Sequence, residues 1–353
     1  MPPLPGAPVS YWLDSAAIAA FQPLDGDLTT DVVVVGGGLV GVTTAHLLAR
    51  AGHAVVLLEA DRIAAGVTGN TTGKLTAGHG RIYKRLTDSY GAPAARAYAR
   101  SNQDAVEWVA SQGIDCDLRP AANYIYTDIP EDVESLRDEA TAARAAGLPA
   151  SFVTESPLPV PVLGAVRLDE QAQFHPRRFI AGMVDRLTAD GVRIIEGTRV
   201  TGVHEGRVDT DAGRVTARAV VVATNAPIID RGLHFALTTP KRSYVVAGRV
   251  DAAAAPADMH ISTAADFRSI RTNPEGDDVV LIVGGRPHKT GQEPTPSAAT
   301  KRSRRGRARP STSTTSSGAG RRTTPRPQPR CRSSASSGPG RTSTSRPASR
   351  GGA

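Results

Sequence analysis

Asp31-Val-Val-Val-Val35-Gly36-Gly37-Gly38-Leu39-Val40-Gly41, followed by an Ala/Leu-rich run and then by Ala54-Val-Val-Leu-Leu58-Glu59, reads as a strand, a glycine turn, a helix, a second strand and an acid. Four consecutive β-branched apolar residues suit a parallel strand buried on both faces. The turn that follows carries no side chain at three positions, so its backbone can approach a ligand closely. Gly36 permits the tight turn, Gly38 lets backbone N–H groups reach a pyrophosphate, and Gly41 lets the helix pack on the strand. A lone Gly-x-Gly-x-x-Gly is weak in a glycine-rich chain, where a plain structural turn reads the same way. Here the strand before it, the helical pattern at Thr43, Ala45, Leu47, Leu48 and Ala51, and an acid 18 residues beyond Gly41 all agree with a dinucleotide site. Glu59 then accepts the ribose hydroxyls of an adenosine and repels a 2′-phosphate, although Arg62 lies close enough to soften the case against NADP.

Beyond Glu59 the chain continues Ala60-Asp61-Arg62-Ile63-Ala64-Ala65-Gly66-Val67-Thr68-Gly69-Asn70-Thr71-Thr72-Gly73-Lys74-Leu75-Thr76. Further on stand Gln173-Phe174-His175-Pro176, Gly191-Val-Arg-Ile-Ile195-Glu196-Gly-Thr198-Arg-Val200, Ala219-Val-Val-Val222-Ala223-Thr224-Asn225-Ala226 and Val283-Gly284-Gly285-Arg-Pro-His288-Lys-Thr-Gly291. In this order, from about residue 10 to residue 292, the chain resembles the FAD-dependent oxidoreductases of the D-amino-acid oxidase, glycine oxidase and sarcosine oxidase family. Tyr11-Trp12-Leu13-Asp14, Thr71 to Thr76 and His79-Gly80 look most like the branch that carries a C-terminal Rieske iron–sulfur domain.

The resemblance implies an α/β fold: a Rossmann-like FAD-binding domain (30–83 and 166–235) interleaved with an antiparallel-sheet substrate domain (84–165 and 236–293). An N-terminal arm (1–29), extended and anchored by Tyr11 and Trp12, precedes them, and a disordered tail (294–353) follows. FAD is the implied cofactor, with Gly36, Gly38, Leu39, Gly41, Glu59, Ala60, Thr71, Thr72, Lys74, Val200, Ala223 and Thr224 around it. His79 lines the flavin or is simply packed. The implied chemistry is hydride transfer to flavin from a carbon bonded to nitrogen in an amine or amino acid, for which the protein supplies orientation and electrostatics. Arg271 is the cation chosen for a substrate carboxylate, since a guanidinium can hold both oxygens, and Tyr244 and His288 are the other candidates on the substrate side. Leu281, Ile282 and Val283 are apolar where sarcosine-oxidase-like members carry a lysine, which disfavours a fast oxidase and leaves the electron acceptor open.

Periodicity adds helices over about 93–112, 131–146 and 177–190. It also adds strands over 192–196, 199–209, 214–223, 241–250 and 279–285, with a hairpin turn at Asp211-Ala-Gly213. No stretch approaches a membrane span or a targeting signal, and Cys116 and Cys331 are too few for a disulfide framework or a metal cluster. A cytoplasmic protein with no metal site and no membrane partner is expected.

Composition breaks at residue 293. Positions 294–353 contain no Leu, Ile, Val, Met, Phe, Tyr or Trp, so this segment has almost nothing to bury against its ordering entropy. It carries 14 of the 42 Lys and Arg and no acid, leaving the rest of the chain with 28 bases against 34 acids. The basic balance therefore belongs to the tail. A basic tail attracts nucleic acid or an anionic surface, but no aromatic is present to stack on bases. The competing explanation is a shifted reading frame in a GC-rich gene: Ser311-Thr-Ser-Thr-Thr315 written TCG-ACG-TCG-ACG-ACG reads Asp-Val-Asp-Asp in another frame. On that view the C-terminal portion that closes the flavin site is missing and activity is impaired. Two rival functions stand beside the oxidoreductase: an NAD-binding reductase, and non-enzymatic binding of nucleic acid or a surface through the tail.

Overall fold

Alternate valines of the first strand face two different cores. In the computed structural model, which describes residues 7–229, 237–290 and the backbone of 319–327, the strand is Leu28–Val35. Val32 and Val34 pack with Val55 and Leu57 on one face, whereas Val33 and Val35 join Val56, Leu58, Ile195, Val208 and Val215 on the other. This period-two division inside an all-apolar run is what burial on both faces requires. The strand pairs in parallel with Val55–Leu58 on one side and Arg214–Val222 on the other. Arg193–Ile195 adds beyond Val55–Leu58, also in parallel, and two antiparallel strands, Val200–His204 and Arg207–Thr210, complete a six-stranded sheet.

Five helices are labelled here: α1 Tyr11–Ser15, α2 Leu39–Arg50, α3 Tyr83–Ser111, α4 Val133–Ala145 and α5 Pro176–Ala189. The first face of the six-stranded sheet is covered by α2, through Val42 and Ala45, and by α5, through Phe179, Ile180, Met183, Val184 and Leu187. Proline at the first helical position and the His175 side chain, which accepts from the Arg178 N–H at 3.2 Å, start α5. Gly191, with φ +76°, follows its end.

The second sheet has eight strands, in the order Ala319–Pro327, Thr238–Val250, Asp278–Lys289, Arg268–Glu275, Met259–Ser262, Asn123–Thr127, Gly164–Leu168 and Ala150–Val153. All neighbours are antiparallel except Met259–Ser262 and Asn123–Thr127, which run parallel, so the expected antiparallel sheet is mixed at one joint. Ala95 and Ala99 of α3 and Leu136, Ala140 and Ala143 of α4 pack on Ile125, Val166 and Leu168. The three short strands Lys74–Leu75, Ala172–Gln173 and Arg119–Pro120 form a small sheet of their own.

Several expectations are refined. The N-terminal arm contains α1, whose Trp12 is 1% exposed. The helix expected from 93 begins at Tyr83 and bends at Gly91, φ +82°, just before Pro93. The single strand expected over 199–209 is a hairpin: Val203 pairs with Val208 and Gly206, φ +69°, turns the chain. Strand Gly164–Leu168 runs across the domain boundary placed between 165 and 166. Within the tail, the backbone of Ala319–Pro327 pairs along Thr238–Val246, although no structure was expected there; the rest of 294–353, and with it most of that expectation, lies outside the described residues.

Candidate dinucleotide site

A cavity of about 550 Å³ opens at the end of the strands Leu28–Val35 and Val55–Leu58, where Val35, Gly36, Leu58 and Glu59 line it. Its wall brings together ten of the residues singled out from the sequence: Gly36, Gly38, Leu39, Glu59, Ala60, Thr71, Lys74, Val200, Ala223 and Thr224. The glycine turn is built as its spacing suggests. Gly36 has φ +113°, and a Cβ there would stand 2.7 Å from the Ala223 carbonyl oxygen. A Cβ on Gly41 would stand 1.8 Å from the Gly36 carbonyl oxygen, so Gly41 sets the packing of α2 on the turn rather than lining the cavity. At Gly38 a Cβ would meet, among the described residues, only Thr68 Oγ1, at 3.3 Å, which leaves the space above this glycine to the cavity.

No side chain caps α2 at Gly38, and the Leu39 N–H is taken by Thr68 Oγ1 at 2.9 Å. A helix start that faces a cavity suits a phosphate group. The Glu59 carboxylate is fixed by backbone: it accepts from Gly37 N–H at 2.7 Å and from Asp61 N–H at 2.9 Å. Arg62, which could have served a 2′-phosphate, forms an ion pair with buried Glu196 at 3.0 Å. Glu196 also accepts from the N–H groups of Ile63 and Phe21, tying the second strand's exit to the segment before the first strand.

The loop after the second strand curls along the cavity through Gly66, Val67 and Thr68 and returns through Thr71, Gly73, Lys74 and Leu75. Asn70 Nδ2 donates to the carbonyls of Ala65 and Gly66, a local bond that rounds the loop. Thr72 is 5% exposed and sits behind this wall. Lys74 Nζ donates to the His260 carbonyl oxygen in the eight-stranded sheet.

The substrate-side candidates lie elsewhere. Arg271 is fully buried and has no free N–H for a carboxylate. Nε donates to Thr272 O, Nη1 to Gly73 O and Phe174 O, and Nη2 to Thr272 O and Asn273 Oδ1. The assignment of Arg271 to substrate binding is therefore corrected; it is an internal tie. Tyr244 is 6% exposed and stacks on His288, with ring centroids 4.6 Å apart, away from the cavity wall. Neither residue joins the glycine turn, and His79 bonds Tyr98 Oη at 2.8 Å instead of facing the cavity. Cys116 is buried, and burial pushes its thiol up to about 11, as a structural cysteine requires. Residues the sequence reading did not assign also line the cavity: Phe174, Pro176, Arg199, Asn225 and Ile228. The described residues include no metal-binding cluster, and none of their helices is long and apolar enough to cross a membrane.

The chain is similar to several known proteins. It is 30% identical over 295 residues to YhfW of Bacillus subtilis, described as a Rieske 2Fe-2S iron-sulfur protein, covering 81% of this chain and 58% of that one. It is 30% identical over 236 residues to gamma-glutamylputrescine oxidoreductase of Escherichia coli, covering 63% of this chain and 55% of that one. The chain thus spans little more than half the length of these curated relatives. Glycine oxidase from Geobacillus kaustophilus shares the fold, with a TM-score of 0.65 at 18% identity over 85% of this chain and 84% of that one. A family model described as DAO, FAD dependent oxidoreductase, matches residues 31–332, continuing past the composition break at 293, and the chain belongs to that family.

Proposed function

We propose that the cavity binds FAD, and that the chain serves an oxidoreductase acting on the C–N bond of an amine or amino acid. The observation that carries this is the convergence of the glycine turn, Glu59, Ala223–Thr224 and the 66–75 loop on one cavity of about 550 Å³. The lining fits the cofactor: the start of α2 and a side-chain-free Gly38 for the pyrophosphate, and a backbone-anchored carboxylate for the ribose hydroxyls. When bound, FAD supplies the acceptor for a hydride from the carbon next to nitrogen.

The chain's own residues do the rest. Gly36 and Gly41 let the turn and the start of α2 pack closely at the end of the first strand, beside the cavity. Glu59 fixes where an adenosine ribose lies, and Arg62, which also lines the cavity, is paired with Glu196. Thr71, Gly73, Lys74, Leu75 and Phe174 wall the part of the cavity left for the flavin. Small-molecule amines are the proposed substrates, by likeness to gamma-glutamylputrescine oxidoreductase. The test is the visible spectrum of the purified chain with FAD, followed anaerobically on adding amines or amino acids. Flavin absorbance that bleaches with one of them supports the reading, and bleaching by none of them counts against the amine assignment.

A further inference from the structure

The loop that walls the proposed flavin part of the cavity is shaped from behind. Between the short helical turn Thr68–Asn70 and the strand pair at Lys74–Leu75 the chain belongs to no helix or strand, and the Gly73 carbonyl accepts the backbone N–H of Phe174 at 3.3 Å. Two carbonyls in this stretch are also held by side chains from distant elements. Trp12 Nε1, on α1, donates to Thr71 O at 2.7 Å. Arg271 Nη1, on Arg268–Glu275, donates to Gly73 O and also to Phe174 O at 2.8 Å, so one nitrogen joins two segments of the cavity wall.

The two side chains form a unit. The Arg271 guanidinium lies 5.1 Å from the Trp12 ring centroid, within the range of a cation–π contact. Gly73 fits between them with φ +69°: a Cβ there would stand 2.8 Å from Arg271 Nη1 and 3.1 Å from Trp12 Cζ2. A fully buried cation whose N–H groups all go to carbonyl oxygens is costly unless its geometry is needed, and only the forked guanidinium reaches this many acceptors at once.

We infer that Arg271 and Trp12 are positioning residues that hold Thr71–Lys74 in the shape that receives the flavin end of FAD. This rests on the reading of the cavity as an FAD site. The clamp touches the loop's rear and leaves its front to the cofactor, so its removal loosens the flavin end while the glycine turn and Glu59 still hold the adenosine end.

The experiment compares the wild-type chain with Trp12→Phe, Arg271→Lys and Arg271→Met. Amide hydrogen exchange over 71–75 is measured without cofactor, and FAD and ADP affinities are measured by calorimetry. Trp12→Phe keeps an aromatic ring and removes only the N–H donor, so it decides the matter even if Arg271→Met fails to fold. The expected result is faster exchange in the loop and FAD binding weakened about tenfold, with ADP changed less than about twofold. Arg271→Lys, which keeps the charge and loses the fork, is expected between wild type and Arg271→Met. Unchanged loop exchange in Trp12→Phe, or FAD and ADP affinities that fall in parallel, would overturn the inference. A wild-type chain that binds ADP but not FAD would defeat the cofactor reading instead, and the exchange data would still decide whether the clamp exists.

Discussion

Gly41 lies against Gly36 so closely that a methyl group at position 41 would stand 1.8 Å from the Gly36 carbonyl oxygen. The helix α2 therefore meets the end of the first strand backbone to backbone. Gly41→Ala must push α2 away from the turn, at a cost of about 1–3 kcal/mol for an overpacked contact. Urea unfolding is expected to show that loss together with weaker ADP binding, and a variant as stable as wild type would show that the contact yields.

Glu59 carries a structural task besides the one proposed for ligand. Its carboxylate holds Gly37 N–H at 2.7 Å and Asp61 N–H at 2.9 Å. Glu59→Ala leaves both N–H groups without this partner and takes away the ribose acceptors, so ADP affinity is expected to fall about tenfold or more. Calorimetry checks it: equal ADP affinity in wild type and variant would remove Glu59 from the site.

Glu139 on α4 caps α3 from a distance. Only 1% exposed, it accepts from Ile82 and Tyr83 N–H through Oε1, at 2.8 and 2.7 Å, and from Lys84 N–H through Oε2 at 3.0 Å. Glu139→Ala takes this acceptor from Tyr83 and Lys84 N–H, leaves Ile82 N–H with Gly80 O at 3.1 Å, and opens a hole, which is expected to cost about 3 kcal/mol in denaturant unfolding. A loss below about 1 kcal/mol would mean that water or another side chain replaces the cap.

Two buried histidines make the fold sensitive to mild acid. His175 is pulled down to about 4, first by burial and then by Arg178, and His260 down to about 3, first by burial and then by Lys74. His175 accepts from Arg178 N–H at Nδ1 and has Nε2 3.0 Å from Ser15 Oγ, the pattern of a neutral ring. An unfolded histidine titrates near about 6.5, so below that value the unfolded chain binds protons that the native chain refuses. Stability is therefore full above about pH 6.5 and falls with pH through the window down to about 4, by about 1.4 kcal/mol per pH unit for each histidine. Urea midpoints across this range test it, with His260→Phe expected to reduce the slope; a flat profile would contradict the neutral burial of both rings.

The parts of the site that were legible in the sequence are local ones. Val32–Val35, the glycines at 36, 38 and 41, and Glu59 fall within one strand–turn–helix–strand unit, where spacing alone decides their geometry. The 66–75 loop followed from resemblance, and Asp211–Gly213 from turn chemistry. The alternation through 199–209 hid the turn at Gly206, because apolar residues continue on both sides of it. Arg271 was misread because its acceptors, Gly73 O and Phe174 O, are 198 and 97 residues away. Nothing in the neighbouring residues distinguishes a buried arginine from a substrate-binding one. Thr68, which takes the first N–H of α2 from 29 residues away, was likewise seen as part of a loop and not as a cap.

In the proposed FAD site, Gly38 keeps the cavity open for the pyrophosphate. Among the described residues a Cβ at this position meets only Thr68 Oγ1, and the backbone, at φ −84° and ψ −175°, is one any residue adopts. Gly38→Val should therefore fold with nearly the wild-type thermal midpoint and lose the ligand. Calorimetric titration of both chains with FAD is the most direct measurement. Stoichiometric binding by wild type that weakens at least about a hundredfold in Gly38→Val is the predicted result, and FAD affinity equal in the two chains, or absent from the wild type, would contradict the account.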